Sequence, residues 1–505
     1  MDPLFEIELE RPAPGSRDAA RTLYLQLKQA IGDGRLVAGT KLPASRKSAD
    51  FFGLSRNTVA EVYDRLLNDG YVTARQGSGT YVAERLPETA APPASASAYR
   101  LNAFWLRDET SAAMGFWRDG EAKPASAGAP IDFRPALIDS RLFPFDIYRR
   151  VSAKQLRGLE KKPASFKSPQ GNQGNFHLRE AITNHIAVTR AVVCRAEDVV
   201  VTSGAQQAFD LLARILVTSG ETVVAVEDPG YPPMRVAFAA AGAKIVPVPV
   251  DGEGLVVEAL PAGVSVICVC PSHQFPLGVT MSKRRRADLI DYARSHGAVI
   301  VEDDYDGEFR YEGNPLQSLR AADAADVTFY VGTFSKCMLP SLRLGFVVVP
   351  DWARKTLVAA KNCLDWHCST PLQIGVAAFI TEGHLSHHVR KMRQLYKKRR
   401  QLLHDLLRRD FADLLEPIPS FYGMHVAAFV KDGIDAEAVA AEQTRIKIHT
   451  LRRYYLGGQV REGLVFGYAA ADLPEIERGL ALLRSVFSAF SWMQRRVPPA
   501  MIGRE

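Results

Sequence analysis

Gly332-Thr-Phe-Ser-Lys336-Cys-Met-Leu-Pro-Ser-Leu-Arg343-Leu-Gly-Phe346 decides how the larger part of this chain is to be read. A lysine flanked by hydroxyl side chains, with an arginine one to two helical turns on, suits a pyridoxal phosphate site. In such a site the lysine amine must form a Schiff base, while its neighbours hydrogen-bond and neutralise a phosphate. Upstream, Thr202-Ser-Gly204-Ala205-Gln-Gln207 follows an apolar strand and opens a helix, so free backbone N–H groups and the positive end of a helix dipole meet at one point. Glu227-Asp-Pro-Gly-Tyr231 is a turn ending in an aromatic ring that can lie on a pyridine ring, plain packing being the blander reading. Val299-Ile-Val-Glu302-Asp303-Asp304-Tyr305 sets acids at the carboxyl end of a buried strand, where ligands of open α/β sheets collect. An aspartate there can pair with a protonated ring nitrogen; the alternative is a helix-capping or solvated acid cluster.

Working outward, strand-like runs alternate with helical patterns from Ile131 onward: Val199 to Thr202, Thr222 to Val226, Lys244 to Val248, Val264 to Val269, Ala298 to Val301, Val327 to Val331 and Leu344 to Val349. This alternation predicts a mostly parallel sheet with helices on both faces.

A different pattern fills the other end. Leu23 to Ile31 has helical apolar spacing, Leu42-Pro-Ala-Ser45-Arg46 reads as a turn and N-cap, and a second helix is expected from Ser45 to Phe52. Gly53-Leu-Ser55-Arg56-Asn57-Thr58-Val59 leads into a third helix whose Val59, Val62, Tyr63 and Leu66 face the core. Arg56, Asn57 and Thr58 then lie on its exposed first turn, the place from which recognition helices reach base edges. Tyr71 to Val82 predicts two short strands around a glycine turn, with Arg75, Gly77 and Gly79 able to approach a phosphate or the minor groove. Helix, turn, helix and wing in that order favour DNA binding over a structural domain with solvated arginines.

Length and composition agree. A chain of 505 residues with 47% hydrophobic and 24% charged residues is globular and long enough for two or three domains. The formal charge of +7 permits a polyanionic partner without demanding one. The six cysteines have no zinc-module spacing, and Cys268 and Cys270 read as buried thiols; no metal site is expected, and a reducing cytoplasm fits. No apolar run approaches a membrane span. His384, His387 and His388, and the basic runs Lys283 to Arg286 and Lys397 to Arg400, read as solvated helix faces, the basic runs with a minority role in extending a DNA track.

Residues 20 to 82 resemble the GntR-type winged helix through Leu42-Pro-Ala-Ser-Arg46, Leu54-Ser-Arg-Asn-Thr-Val59 and Gly77-Ser-Gly-Thr-Tyr-Val82, which implies DNA contacts at Arg46, Arg56, Thr58 and Gly77. The rest resembles a fold-type I aminotransferase domain. Together the chain is similar to the MocR-type (GabR-like) regulators over nearly its whole length, with agreement also at Phe143-Pro144, Leu178 to Ala181, Pro271 to Gly278, Gly383-His384 and His388 to Arg393. The resemblance implies that Lys336 carries the Schiff base, Asp303 holds the ring nitrogen, Tyr305 contacts the phenolic oxygen and Tyr231 stacks on the ring. Gly204, Ala205, Thr333, Ser335 and Arg343 would hold the phosphate. Two departures stand out. Phe275 occupies the place of the Asn that bonds the ring oxygen in working aminotransferases, with His273 or Gln274 as substitutes. Leu464 to Gly467 occupies the place of the arginine that clamps a substrate carboxylate, with Arg452, Arg453 and Arg461 nearby.

The expected layout is a winged helix-turn-helix over residues 1–85, a linker over 86–130 containing the Pro-, Ala- and Ser-rich Pro87 to Ser97, an α/β aminotransferase-like domain over 131–490 and a tail over 491–505. The resulting expectation is a cytoplasmic, homodimeric regulator that binds double-stranded operator DNA, associates with the nucleoid when bound, and senses pyridoxal phosphate or an amine or amino-acid effector at Lys336. The competing readings are an active aminotransferase with an appended head, and a repressor that needs no cofactor. A residual transaminase half-reaction is compatible with the first of the three.

Overall fold

Three helices and a two-stranded wing form the N-terminal unit: α1 (Ala19–Gly32), α2 (Ser45–Phe52), α3 (Arg56–Asn68), β1 (Val72–Arg75) and β2 (Gly79–Val82). The computed structural model describes residues 4, 19–75, 77–84, 101–108, 110, 130–161, 171–312, 317–431, 434–441, 445–457 and 459–496. The chain divides into two compact units, Met1–Leu101 and Asn102–Glu505. The expected linker segment Pro87 to Ser97 lies outside the described residues, and a short 3-10 turn occupies Ala103–Leu106.

In the first unit, Leu23, Leu27 and Ile31 of α1 meet Phe52 of α2 and Val59, Val62 and Leu66 of α3, all buried, with Val72 and Val82 of the wing closing the core. This is the face that the helical spacing selects. The wing is an antiparallel pair with Val72 opposite Val82 and Arg75 opposite Gly79. Ser55 caps α3, its Oγ accepting from the Thr58 N–H at 3.1 Å. Ser45 is the first helical residue of α2 rather than its cap; Ala44 holds the cap position and offers no side chain for it.

In the second unit β3 (Ile131–Asp132) precedes a large sheet made of β4 (Val199–Thr202), β5 (Val223–Asp228), β6 (Lys244–Asp251), β7 (Gly254–Leu255), β8 (Val264–Val269), β9 (Val299–Asp304), β10 (Thr328–Thr333) and β11 (Gly345–Val348). Their order is β4-β11-β10-β9-β8-β5-β6-β7. The run β10-β9-β8-β5-β6 is parallel, whereas β11 lies antiparallel to both β10 and β4. Both faces are covered, as near-continuous apolar strands require. Val199 and Val201 enter one core and Val200 the other.

A smaller antiparallel sheet follows, built from β12 (Leu415–Pro417), β13 (His425–Val430), β15 (His449–Thr450) and β16 (Gly463–Gly467) in the order β12-β13-β16-β15, while β14 (Ile446–Lys447) pairs with β3. The last helix spans Leu473–Arg496, past the expected edge at residue 490.

The basic runs correct half of the reading of solvated faces: Lys283, Arg284, Lys397 and Lys398 are exposed, but the two arginines that end each run are not. Arg285, Arg286, Arg399 and Arg400 are buried. Each donates to a backbone carbonyl: Leu255, Met281, Ala469 and Ser420 respectively. His388 is likewise buried, edge-on to Phe143 at 5.6 Å. Long cationic stems bury well when their donors find carbonyls, and a run of like residues on a helix has an inner side as well as an outer one.

Candidate cofactor site and nucleic-acid interface

Sheet register assembles the site. Thr333 of β10 lies opposite Gly345 of β11, which lies opposite Thr202 of β4, so three strand ends finish at one level. On the other side, Val331 of β10 is level with Asp303 of β9. The loops leaving these ends therefore converge, carrying Ser203 to Ala205, Ser335 and Lys336, and Arg343.

Gly204 opens the helix Ala205–Leu216 with φ 82° and ψ 173°, a conformation essentially limited to glycine. A Cβ there would also sit 2.8 Å from Nη2 of Arg343, whose guanidinium donates to the Ser203 carbonyl at 3.4 Å. Arg343 itself holds a left-handed backbone, φ 46°. Thr333 Oγ1 donates to Ser335 Oγ at 3.0 Å and accepts from the Ser335 N–H at 3.2 Å. Helix N-terminus, guanidinium and two hydroxyls thus gather in one cradle, a donor set whose chemistry fits a phosphate.

Lys336 donates from Nζ to the carbonyl of Ala136 at 2.6 Å. Burial lowers its amine to about 8, against the opposing pull of Asp306 and Asp303. Near neutral pH a useful fraction is then unprotonated and nucleophilic.

The acids at the end of β9 divide their work. Glu302 caps the short helix Leu319–Ala322, its two oxygens accepting from the N–H groups of Leu319 and Arg320 at 2.9 Å each. Asp304 pairs with Arg190 and accepts from the Tyr330 hydroxyl at 2.6 Å. Asp306 pairs with His273 at 2.9 Å. Asp303 is buried, its Oδ2 lies 3.8 Å from the Cys270 thiol, and its Oδ1 has no hydrogen-bond partner among the described residues. Burial raises its carboxyl to about 8, helped by Asp304 and Asp306. An orphaned carboxylate oxygen at this depth calls for a cationic donor, and a protonated pyridine nitrogen is one.

Tyr231 begins the helix Pro232–Ala240 and stands edge-on to Phe275 at 5.6 Å. Phe275 is buried and also lies edge-on to Tyr305, His425 and Tyr454. Tyr305 meets His273 through its hydroxyl. Gln274 turns away, donating to the Pro229 and Phe275 carbonyls at 2.8 Å each. Among the arginines near the small sheet, Arg452 pairs with Glu462 and Arg461 covers the Phe429 ring. Leu464 to Phe466 are buried in β16.

The carbonyl of Ala136, the pairing of Asp306 with His273 and the buried Glu227 escaped sequence reasoning as site features, although His273 itself was a candidate for the ring oxygen. Glu227 accepts from the Cys270 N–H at 3.1 Å and is raised by burial to about 8. Each of these is a contact across distant segments, for which no local pattern exists. The residues present fit pyridoxal phosphate, with Lys336 for its aldehyde carbon, Asp303 for its ring nitrogen and the Gly204–Arg343 cradle for its phosphate.

In the N-terminal unit Arg46, Arg56 and Asn57 are exposed on the first turns of α2 and α3. The Thr58 hydroxyl is engaged with Ser55 Oγ at 2.8 Å in the cap, and the residue is half-buried. On the wing, Arg75 lies over the Tyr81 ring at 4.7 Å with Lys41 on the same tyrosine at 5.8 Å. Gly77 and Gly79 have φ 72° and 118°. The arrangement presents exposed cations and glycine backbone on one small domain.

Known proteins share both halves. Residues 19–82 match the family of bacterial regulatory proteins, gntR family, and residues 146–454 match aminotransferase class I and II. The chain is 35% identical to the "Probable rhizopine catabolism regulatory protein MocR" of Rhizobium meliloti, over 93% of this chain and 94% of that one. It is 29% identical to the HTH-type pyridoxine biosynthesis transcriptional regulator PdxR of Corynebacterium glutamicum, over 88% and 91%. Among solved structures it resembles LysN, an alpha-aminoadipate aminotransferase from Thermus thermophilus complexed with N-(5'-phosphopyridoxyl)-L-leucine, with TM-score 0.64, 26% identity, and 75% of this chain covering 99% of that one. A kynurenine aminotransferase from Pyrococcus horikoshii gives TM-score 0.66 at 25% identity, covering 74% and 96%. With a gntR-type head and an aminotransferase fold matched along one chain, this protein belongs to the MocR-type transcriptional regulators.

Proposed function

We propose that this chain regulates transcription by binding operator DNA through α2, α3 and the wing, and that its aminotransferase-like unit holds pyridoxal phosphate at Lys336 to sense the cofactor or a primary amine. The observation that carries the sensing half is the buried, unpartnered Asp303 Oδ1 in the same strand-end cluster as the Lys336 amine and the Gly204–Arg343 cradle. Bound pyridoxal phosphate supplies an aldehyde that condenses with amines and a ring that withdraws electrons. The chain's own residues do the rest. Lys336 presents an amine softened by burial, Asp303 keeps a proton at the ring nitrogen, and the cradle fixes the phosphate.

Phe275 and the buried strand β16 replace two polar groups that working aminotransferases use, which favours recognition over sustained turnover. An amine or amino-acid effector alters the DNA-reading heads only to the extent that it binds two arrangements unequally. A homodimer acting in the cytoplasm suits paired half-sites on DNA. No helix among the described residues is long and apolar enough to cross a membrane.

The decisive experiment is binding of the purified full chain to DNA upstream of its own reading frame, at fixed salt, with and without pyridoxal phosphate and a panel of amines, beside an unrelated fragment. Preference for the upstream fragment that changes with cofactor or amine supports the reading. Equal binding to all genomic fragments, together with steady amino-donor turnover, overturns it.

A further inference from the structure

His273 and Asp306 form a buried pair directly behind Tyr305. Their side chains are 1% and 2% exposed, and His273 Nδ1 lies 2.9 Å from Asp306 Oδ2. The same nitrogen lies 2.9 Å from the Tyr305 hydroxyl oxygen, which also donates to the His273 carbonyl at 3.0 Å. A carboxylate offers only lone pairs, so a buried Nδ1 at this distance carries the proton and shares it between Asp306 and Tyr305. The Tyr305 oxygen therefore accepts from the imidazole, and its one proton points at the neutral His273 carbonyl, from which an anionic oxygen, the stronger acceptor, can draw it. A hydroxyl that accepts one hydrogen bond donates a second more strongly.

The surroundings are shaped for this ring. Gly423 has φ 78°, and a Cβ there would fall 2.0 Å from His273 Nδ1 and 2.6 Å from Asp306 Oδ2. Gly278, φ 77°, would put one 3.2 Å from His273 Nε2. Phe275 offers no donor and spends its surface on Tyr231, Tyr305, His425 and Tyr454. Polar support for an oxygen in front of Tyr305 must then come through Tyr305. His273, Asp306 and His425 also bring donor atoms within 4.8 Å of one another; with the proton on Nδ1, the ring's lone pair is on Nε2, which has no hydrogen-bond partner among the described residues.

We propose that His273 and Asp306 are positioning residues that act through Tyr305, aiming and strengthening its hydroxyl as the hydrogen-bond donor to the phenolic oxygen of pyridoxal phosphate. This rests on the cofactor reading given above. The pair does what a direct amide contact cannot do here, because the side chain at position 275 is apolar. The other titratable groups facing this centre include Asp303, Asp304 and Glu227 from neighbouring strand ends, Cys270, Tyr311, His425, Tyr468 and Lys336. They stay constant across the variants below.

The test is the visible absorbance of the cofactor-loaded full chain as a function of pH. Donation to the phenolic oxygen favours its deprotonated form, so His273→Phe raises the titration midpoint, by about one pH unit for a tenfold change in that equilibrium. His273→Gln, which retains an amide N–H, and Asp306→Asn give smaller shifts in the same direction, and either serves where His273→Phe does not fold by thermal melting. In the Tyr305→Phe background the His273 substitutions shift nothing further, since the effect travels through the missing hydroxyl. A shift of the same size in that background, or no shift in any single variant, overturns the proposal while leaving cofactor binding intact. A wild-type chain that develops no visible band with pyridoxal phosphate overturns the cofactor reading, and this inference with it.

Discussion

Lys336 and Ala136 meet across 200 positions of sequence: the lysine Nζ donates to the Ala136 carbonyl at 2.6 Å, and Ala136 reaches that position through a left-handed backbone, φ 62°. The strand-end loop and the segment that follows β3 are thereby tied at the reactive amine. Borohydride reduction of the protein mixed with pyridoxal phosphate is expected to fix the cofactor on Lys336. Lys336→Ala abolishes that attachment, read by peptide mass spectrometry, while the N-terminal unit keeps its fold by circular dichroism.

Asp303 and Glu227 make the cofactor-free protein sensitive to base. Burial raises each carboxyl to about 8 from 3.8 and 4.5. Between those limits the folded chain holds protons that the unfolded chain has lost, so stability is greatest below the lower values and falls as pH rises toward about 8. The slope is about 1.4 kcal/mol per pH unit for each proton fully held by the folded state alone. Unfolding midpoints measured across this window are expected to fall with pH, and less steeply in Asp303→Asn.

Gly204→Ala strains the backbone and presses on Arg343. A non-glycine residue at φ 82° costs about 1–3 kcal/mol. The added Cβ also displaces the guanidinium that closes the phosphate cradle. Weaker binding of pyridoxal phosphate, followed by fluorescence titration, is the expected result, with inorganic phosphate competing less well than against the wild type.

Arg190 and Asp304 hold the end of β9 from beneath. The pair is buried, and Gly307 is bare because a Cβ there would lie 0.6 Å from Arg190 Nη2. Arg190→Ala leaves a buried carboxylate with only the Tyr330 hydroxyl, an expected loss of about 3–5 kcal/mol. Gly307→Ala is expected to act on the same pair, and thermal denaturation of both variants checks it.

The exposed Arg56 on the first turn of α3 tests the DNA reading. If it reads a guanine, Arg56→Ala costs about 1–3 kcal/mol on the operator and relaxes sequence preference at one position. Arg46→Ala, as a phosphate contact, weakens all sequences alike and reduces the slope of log affinity against log salt by about 1. Titrations at several salt concentrations separate the two roles.

The sequence by itself determined the two-part architecture, because its signals are local. The helix α2 runs over Ser45–Phe52, and the strands β4 and β8 over Val199–Thr202 and Val264–Val269, where apolar runs and turn residues place them. The lysine between hydroxyls, the glycine opening a helix after β4 and the acid at the end of β9 are likewise patterns within a few residues. The residue pattern left the neighbouring acids open, and only the family resemblance named Asp303; tertiary structure decided which of them keeps an unpartnered oxygen. Glu302 and Asp304 are claimed by a helix cap and by Arg190, partners distant in sequence, and Asp303 is the one left. It also decided that Arg285, Arg286, Arg399, Arg400 and His388 go inward, since burial depends on which carbonyls and rings a helix packs against. The His273–Asp306–Tyr305 arrangement belongs to the same class. Periodicity fixes the face a side chain takes, but only the packing of distant segments fixes what it meets there.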